Sequence, residues 1–485
     1  MVLRFFTGKR RPGEPLSRRE WLRIGGVAGL GLTLPRSIRS AGAARAANHD
    51  VPGFGRAKSI ILVYASGGQS QLEMWDPKPD APLEIRGDFA AIPTAVPGTF
   101  LGEHLPRVAR LADRFAIVRS VSHDDLDHGS AGYLALTGQF HPNKTSNPPP
   151  KPTDFPTYGA ILKRVRPDSQ FPYSAVHLNG PALVPETTGP GQDGGFLGRD
   201  FEPLVLGDVN STPIAVPCLD ALPDLPAARL AARQNLMSRL DETCRAMERQ
   251  NSLADRRLAA MDTLYGQAYQ LLASPHCRQA FDLSAEPQAV RDRYGRNRSG
   301  QACLMARRLV EAGVPLITVI WNHSNRGQDK NPDTTDLYGW DTHNDIFDAL
   351  KAHLLPRFDQ GFSALLEDLD ERGLLDQTLI VCMGEFGRAP LVALEKKFAG
   401  SSPGRKHWAS VYSIVMAGAG VTPGAVYGSS DKIAAQPQTN RVTPGDVAAT
   451  MFSALGIDPE AHYQDPLGRP YQIAAGRPIT GLYTS

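Results

Sequence analysis

Asp341 and His343 stand two residues apart in the string YGWDTHNDIFDAL. In extended backbone, residues i and i+2 face the same side, so a carboxylate and an imidazole at this spacing can share one metal ion. The competing reading makes an Asp or Asn of this string the N-cap of the helix that follows, with a surface histidine beside it. Other groups able to bind metal or move protons recur beside apolar runs. His123 and His128 follow one run, His323 follows another, Glu385 and Arg388 lie in GEFGR after a third, and His407 precedes a fourth. Each alone reads as a surface or satisfied polar group, and GEFGR as a turn with an ion pair. Their shared placement gives them weight together, because strand ends in a parallel sheet lie side by side and residues distant in sequence converge there.

The runs that must position these groups read as buried strands. AKSIILVYAS (57–66) ends in GGQS, AIVRSVSH (116–123) follows an amphipathic helix at HLPRVARLADRF, and SAGYLALTG is a helix closed by Gly138. This β–α–β–α alternation predicts an α/β fold with a mainly parallel central sheet flanked by helices. The rhythm resumes with VPLITVIWN (314–322), a long helix at 345–373, the strand QTLIVCMG, the strand VYSIVMAGAG and a capped helix at TPGDVAATMFSALG. Between them, 142–217 is crowded with Pro and Gly and reads as an irregular insertion carrying a helix near 158–165 and a strand near 173–178. Residues 226–294 read as a helical insertion. No P-loop, GxGxxG or GxSxG motif is present.

The first 46 residues read as a twin-arginine export signal, with Arg18 and Arg19 before the short apolar run of SRREWLRIGGVAGLGLTLP and a cleavable ARA. That run is too short to span a bilayer, so no transmembrane anchor is expected in the mature chain, 47–485, which should form a single domain. The segment carries ten of the 52 Lys/Arg and two of the 50 Asp/Glu, so its removal takes the formal charge from +2 to −6. A mildly acidic chain without a basic run offers nucleic acid no electrostatic footprint. The five cysteines, at 218, 244, 277, 303 and 382, show no zinc or redox spacing, and their odd number leaves at least one without an intrachain partner.

Several uncommon strings occur in order: GGQSQLEMWDPKP, EIRGDF, RSVSHDDLDHGSAGYLALTG, DTHND, LLDQTLIVCMGEFGRAP and GRKHW. Together, after a twin-arginine signal, they resemble the exported bacterial domain-of-unknown-function family 1501 over nearly the whole mature chain. A more distant resemblance is to the alkaline-phosphatase and sulfatase superfamily. FDQGFSALLEDLDERGLLDQTLIVCMGEFG resembles its helix, apolar strand and metal-binding Asp segment, which places Glu385 at that ligand. GRKHWASVYSIVMAGAGV resembles the later segment with a ligand histidine, which points to His407, and Asp341 and His343 then occupy the earlier Asp/His segment. SAGYLALTGQFHP resembles the sulfatase modification motif, and His128 falls where the formylglycine-forming Cys would stand. That nucleophile is absent, and the strand-one acidic pair is replaced by SGG, with Glu73 and Asp76 downstream as substitutes.

The resemblance implies an exported metal-dependent hydrolase of phosphate or sulfate esters. A divalent cation, Zn or Mn, would be held by Asp341, His343, Glu385 and His407. His128 or His123 would serve as base or nucleophile, and Arg388 would neutralise the anionic group. The expected partners are a small anionic ester or a sulfated or phosphorylated polymer, and the twin-arginine export machinery. The missing nucleophile supports an alternative, a sulfatase-like binding or assembly protein without catalysis.

Overall fold

Strands buried on both faces should read as unbroken apolar runs, and the central strands do. The computed structural model describes residues 51–167, 171–184, 187–211, 274–322 and 338–483. The export signal, most of the helical insertion (226–273), His323, Cys218 and Cys244 lie outside these. An eight-stranded sheet is built from β1 (Ser59–Tyr64), β2 (Phe115–Val121), β3 (Ala175–Leu178), β4 (Leu204–Val205), β5 (Leu316–Ile320), β6 (Thr378–Met383), β7 (Tyr412–Ala417) and β8 (Val426–Tyr427). Their spatial order is β8-β2-β7-β6-β1-β5-β3-β4. All neighbours pair parallel except β7, which is antiparallel to both β2 and β6. Seven strands therefore bring their C-terminal ends to one edge, and β7 brings its N-terminal end, which explains why His407 precedes its strand.

The alternation of β1 divides the core. Ile61 and Val63 face one cluster and Ile60, Leu62 and Tyr64 the other. On the first face lie helices at Arg298–Glu311 and Leu355–Glu371, packed with Trp75, Trp321, Phe358 and Phe362. On the second lie α1 (His128–Thr137), α2 (Tyr158–Val165) and α3 (Pro444–Ala454). Their starts follow from local chemistry. The Asp127 carboxylate accepts from the His128 N–H, the Thr157 side chain accepts from the Gly159 N–H, and Thr443 and Asp446 form a reciprocal capping box with Pro444 in the first turn.

The region expected as an irregular insertion, 142–217, also supplies β3 and β4 to the sheet. The described end of the expected helical insertion holds two short helices, Pro275–Ala280 and Gln288–Tyr294. The long helix expected over 345–373 starts at Ile346 and passes through a π-turn at Leu350–Leu354 before Leu355–Glu371. Pro356 cannot donate to the preceding turn and crowds its carbonyl, which accounts for the irregular ladder there. Cys277, Cys303 and Cys382 are buried free thiols. Among the described residues no helix is long and apolar enough to cross a membrane.

Candidate metal centre

Asp341 does not cap the helix. The residue before Ile346 is Asp345, in the left-handed region at φ 53°, and its side chain makes no cap bond. The Asp341 carboxylate instead sits at the centre of four side chains from four parts of the chain. Its Oδ1 accepts from Arg388 Nη2 at 2.8 Å and lies 3.1 Å from His343 Nε2 and 3.2 Å from His407 Nε2. Its Oδ2 lies 3.2 Å from His128 Nε2. The two imidazole nitrogens of His343 and His407 are 2.9 Å apart.

Asp341 Oδ1, His343 Nε2 and His407 Nε2 thus form a nearly equilateral triangle. A tetrahedral ion with bonds of about 2.0–2.1 Å has ligand atoms roughly 3.3 Å apart, so this triangle has the size of one face of such a site. His128 Nε2 is buried and makes no hydrogen bond, its approach to Asp341 being a close charge contact. His128, Asp341 and His407 can place one ligand atom each within 4.8 Å of one another. The donor set of nitrogens and a carboxylate oxygen fits zinc or manganese.

Electrostatics tie the cluster together. Burial opposes charge on His128, yet the Asp341 and Glu385 carboxylates outweigh it and hold the imidazole up at about 9. Burial also opposes charge on Asp341, but His128 and Arg388 keep its carboxyl well below the usual range. His407 is pushed down to about 3 by burial and by the neighbouring His128 charge, and burial lowers His343 as well. Without an ion, the surroundings thus favour charge on His128 and oppose it on His343 and His407.

Glu385, expected among the ligands, stands one layer deeper. Its Oε1 accepts from Gly67 N–H at 2.7 Å and meets His128 Nδ1 at 2.6 Å, while its Oε2 accepts from the Tyr64 hydroxyl at 3.1 Å. A carboxylate on Nδ1 turns Nε2 of the same ring toward Asp341, the arrangement in which an outer partner orients a ligand histidine. Arg388, expected to face the substrate, is wholly buried; it donates to the carbonyls of Gly67, Gly68 and Arg405 besides Asp341. His123 also has both ring nitrogens engaged, Nε2 at 2.7 Å from the Glu385 carbonyl and Nδ1 accepting from Asp125 N–H at 3.1 Å. The substitutes considered for strand one are elsewhere: Glu73 pairs with Arg405, and Asp76 with Lys78 and Arg119.

The first turn of α1 offers no free donor to an anion. Asn147 Oδ1 accepts from Gly129 N–H at 2.7 Å, the Ser146 carbonyl from Ser130 N–H, and Asp127 from His128 N–H and Ala131 N–H.

Residues that motif reading passes over complete the walls. His407 Nδ1 donates to the Leu126 carbonyl at 2.6 Å, leaving Nε2 for the cluster. Phe386 lies under the His128 and His407 rings with centroids at 5.0 and 4.6 Å, and Phe398 stacks on His343 at 3.7 Å and 10°. Asn344 and Asp345 hold the loop that carries Phe398. Asn344 Nδ2 donates to the carbonyls of Glu395, Phe398 and Ala399, its Oδ1 accepts from Glu395 N–H, and Asp345 accepts from Ser401 and Ser402. Gly400 permits the approach, at φ 114° and with an added Cβ placed 2.5 Å from the Asp345 carboxylate.

Fold and cluster together define an α/β protein whose strand ends gather histidines and carboxylates around one point. The chain belongs to the DUF1501 family, described as a protein of unknown function, whose pattern matches residues 57–483. No curated protein matches it by sequence. Among solved structures it is similar to the PsFucS1 sulfatase from Pseudoalteromonas sp., with 14% identity over 91% of this chain and 72% of that one and a TM-score of 0.37. It is also similar to the phosphonate monoester hydrolase SpPMH from Silicibacter pomeroyi, with 12% identity, 88% and 78% coverage and a TM-score of 0.37. Alkaline phosphatase from the Antarctic bacterium TAB5 matches at 11% identity, 76% and 94% coverage and a TM-score of 0.34. At such identities and scores the chemistry must be argued from this chain's own residues.

Proposed function

We propose that the protein is an exported hydrolase of phosphate or sulfate monoesters that works with one divalent ion, zinc or manganese, held by Asp341, His343, His407 and His128. The observation that carries this reading is the triangle of Asp341 Oδ1, His343 Nε2 and His407 Nε2, with His128 Nε2 aimed at the same carboxylate and lacking a hydrogen bond. Bound there, such an ion supplies Lewis acidity toward an anionic ester and toward the attacking water. Glu385 accepts from His128 Nδ1, so an ion that displaces the proton on Nε2 would find that nitrogen turned toward it, and the Leu126 carbonyl, accepting from His407 Nδ1, leaves Nε2 of that ring free. Arg388 fixes Asp341 and balances its charge, so it acts through the carboxylate and not on the substrate.

Metal analysis of the purified protein and turnover of 4-nitrophenyl phosphate and sulfate test this directly. Stoichiometric metal is expected, and Asp341→Ala and His407→Ala should each lose it together with hydrolysis. His128→Ala should lose metal too, which separates a ligand from a purely catalytic base. Parent-like metal content in all three variants would overturn the assignment. One observation favours a second reading, a metal-binding assembly protein: among the described residues no Ser, Thr or Cys side chain hydrogen-bonds to any of the four cluster residues. Stoichiometric metal without turnover of any ester would select that reading.

A further inference from the structure

We propose that the ester taken by this site carries an apolar aryl or alkyl group, selected by Phe398 and Leu126 beside the cluster. The inference rests on the ester-hydrolase reading and adds its substrate class. The cluster meets solvent on the His407 side, where that side chain is 18% exposed against 6% for His128 and His343. Two exposed apolar residues adjoin these imidazoles. Phe398 is stacked on His343 yet 41% exposed, and Leu126 is 44% exposed while its carbonyl holds His407. Phe398 stacks its ring on one proposed ligand and Leu126 holds another through its carbonyl, so an anionic group reaching the cluster brings its organic portion close to both residues.

The position of Phe398 is built in. Asp341 and His343 belong to the cluster, and the next two residues, Asn344 and Asp345, bind 395–402 largely through its backbone groups. The cations around the cluster are largely paired with carboxylates or buried, and so form no track for a polyanion. Lys144 is paired with Asp124 at 2.7 Å and Lys406 with Glu395 at 3.0 Å, while Arg388 and Arg405 are fully buried. Lys396 and Lys397 are exposed next to Phe398 in the chain, and salt screens their charge without touching an apolar contact.

Calorimetric binding of methylphosphonate and phenylphosphonate to the metal-loaded protein tests this without turnover. Phenylphosphonate should bind about tenfold more tightly, the value of one ring contact, and the preference should persist in about 0.5 M NaCl because it is not coulombic. Phe398→Ala and Leu126→Gln should each reduce the preference to about threefold or less. Metal content is measured on each variant, and Leu126→Gln decides the matter if Phe398→Ala loses metal through His343. Equal affinities in the parent, or a preference untouched by both substitutions, would overturn the apolar selection while leaving the hydrolase reading in place. Failure of both phosphonates to bind the metal-loaded parent would overturn the ester reading itself.

Discussion

Arg405 shows how a residue far from any substrate fixes the site. Its side chain and that of Glu73 are both wholly buried, joined at 2.6 Å, and the guanidinium also donates to the carbonyls of Ile85, Ala389 and Pro390. Two positions later the chain delivers His407, so the arginine anchors the approach to a ligand. A buried pair gains little over apolar packing, but a buried charge left alone is costly. Arg405→Met should therefore destabilise the protein by about 3–5 kcal/mol in urea unfolding. Adding Glu73→Met should recover part of the loss, the remainder reflecting the three abandoned carbonyls. A loss under about 1 kcal/mol in the single variant would place the pair with exposed ones.

At the scale of elements, the DTHND turn and the 391–404 loop behave as one part. Asn344→Ala removes four hydrogen bonds to that loop. The expected result is a loss of about 2 kcal/mol, part of the carbonyls turning to water. Amide exchange over 395–402 should quicken by about tenfold, while exchange in β1 and β6 stays unchanged at matched stability. Unaltered exchange in the loop would show that it is held by something else. This coupling marks the limit of what could be read from sequence. Strands such as β1 and β6 were legible because unbroken apolar runs admit few other fates, and α3 because Thr443, Pro444 and Asp446 state its start. That the histidines and carboxylates meet was legible from their places at strand ends. The role of each was not, because the difference between Glu385 as ligand and Glu385 as support for His128 lies in which oxygen meets which ring nitrogen. Phe398 gave no signal, since the loop around it has no period, and β4 and β8 are two residues long.

At the scale of the molecule, sheet burial carries a pH dependence of its own. His177 lies inside β3, and burial pushes its imidazole down to about 4. The unfolded chain takes up a proton near 6.5 that the folded chain refuses until about 4, so stability is complete above that window and falls as pH drops through it. Between about pH 7 and pH 5 the loss from this group is about 2 kcal/mol. His177→Leu should flatten that part of the urea-unfolding profile, and an identical acid limb in parent and variant would show that other groups set it.

Strand β7 orders events in time. Among the described residues it is the only strand joining β6 to β2 in the sheet. While the ribosome has released only the chain before Tyr412, β2 has no inner neighbour to pair with, and α1, which follows it, is not yet tied to the sheet through β2. A metal ion met at that stage finds Asp341 and His343 without the other imidazoles in place. Pairings spanning some three hundred residues are slow to close, so the four residues proposed as ligands come together only when the chain between His407 and Ala417 slots into the gap. On the proposed metal-site reading, loading is then an event of the finished protein, and the compartment where β7 docks would be the one that chooses the metal.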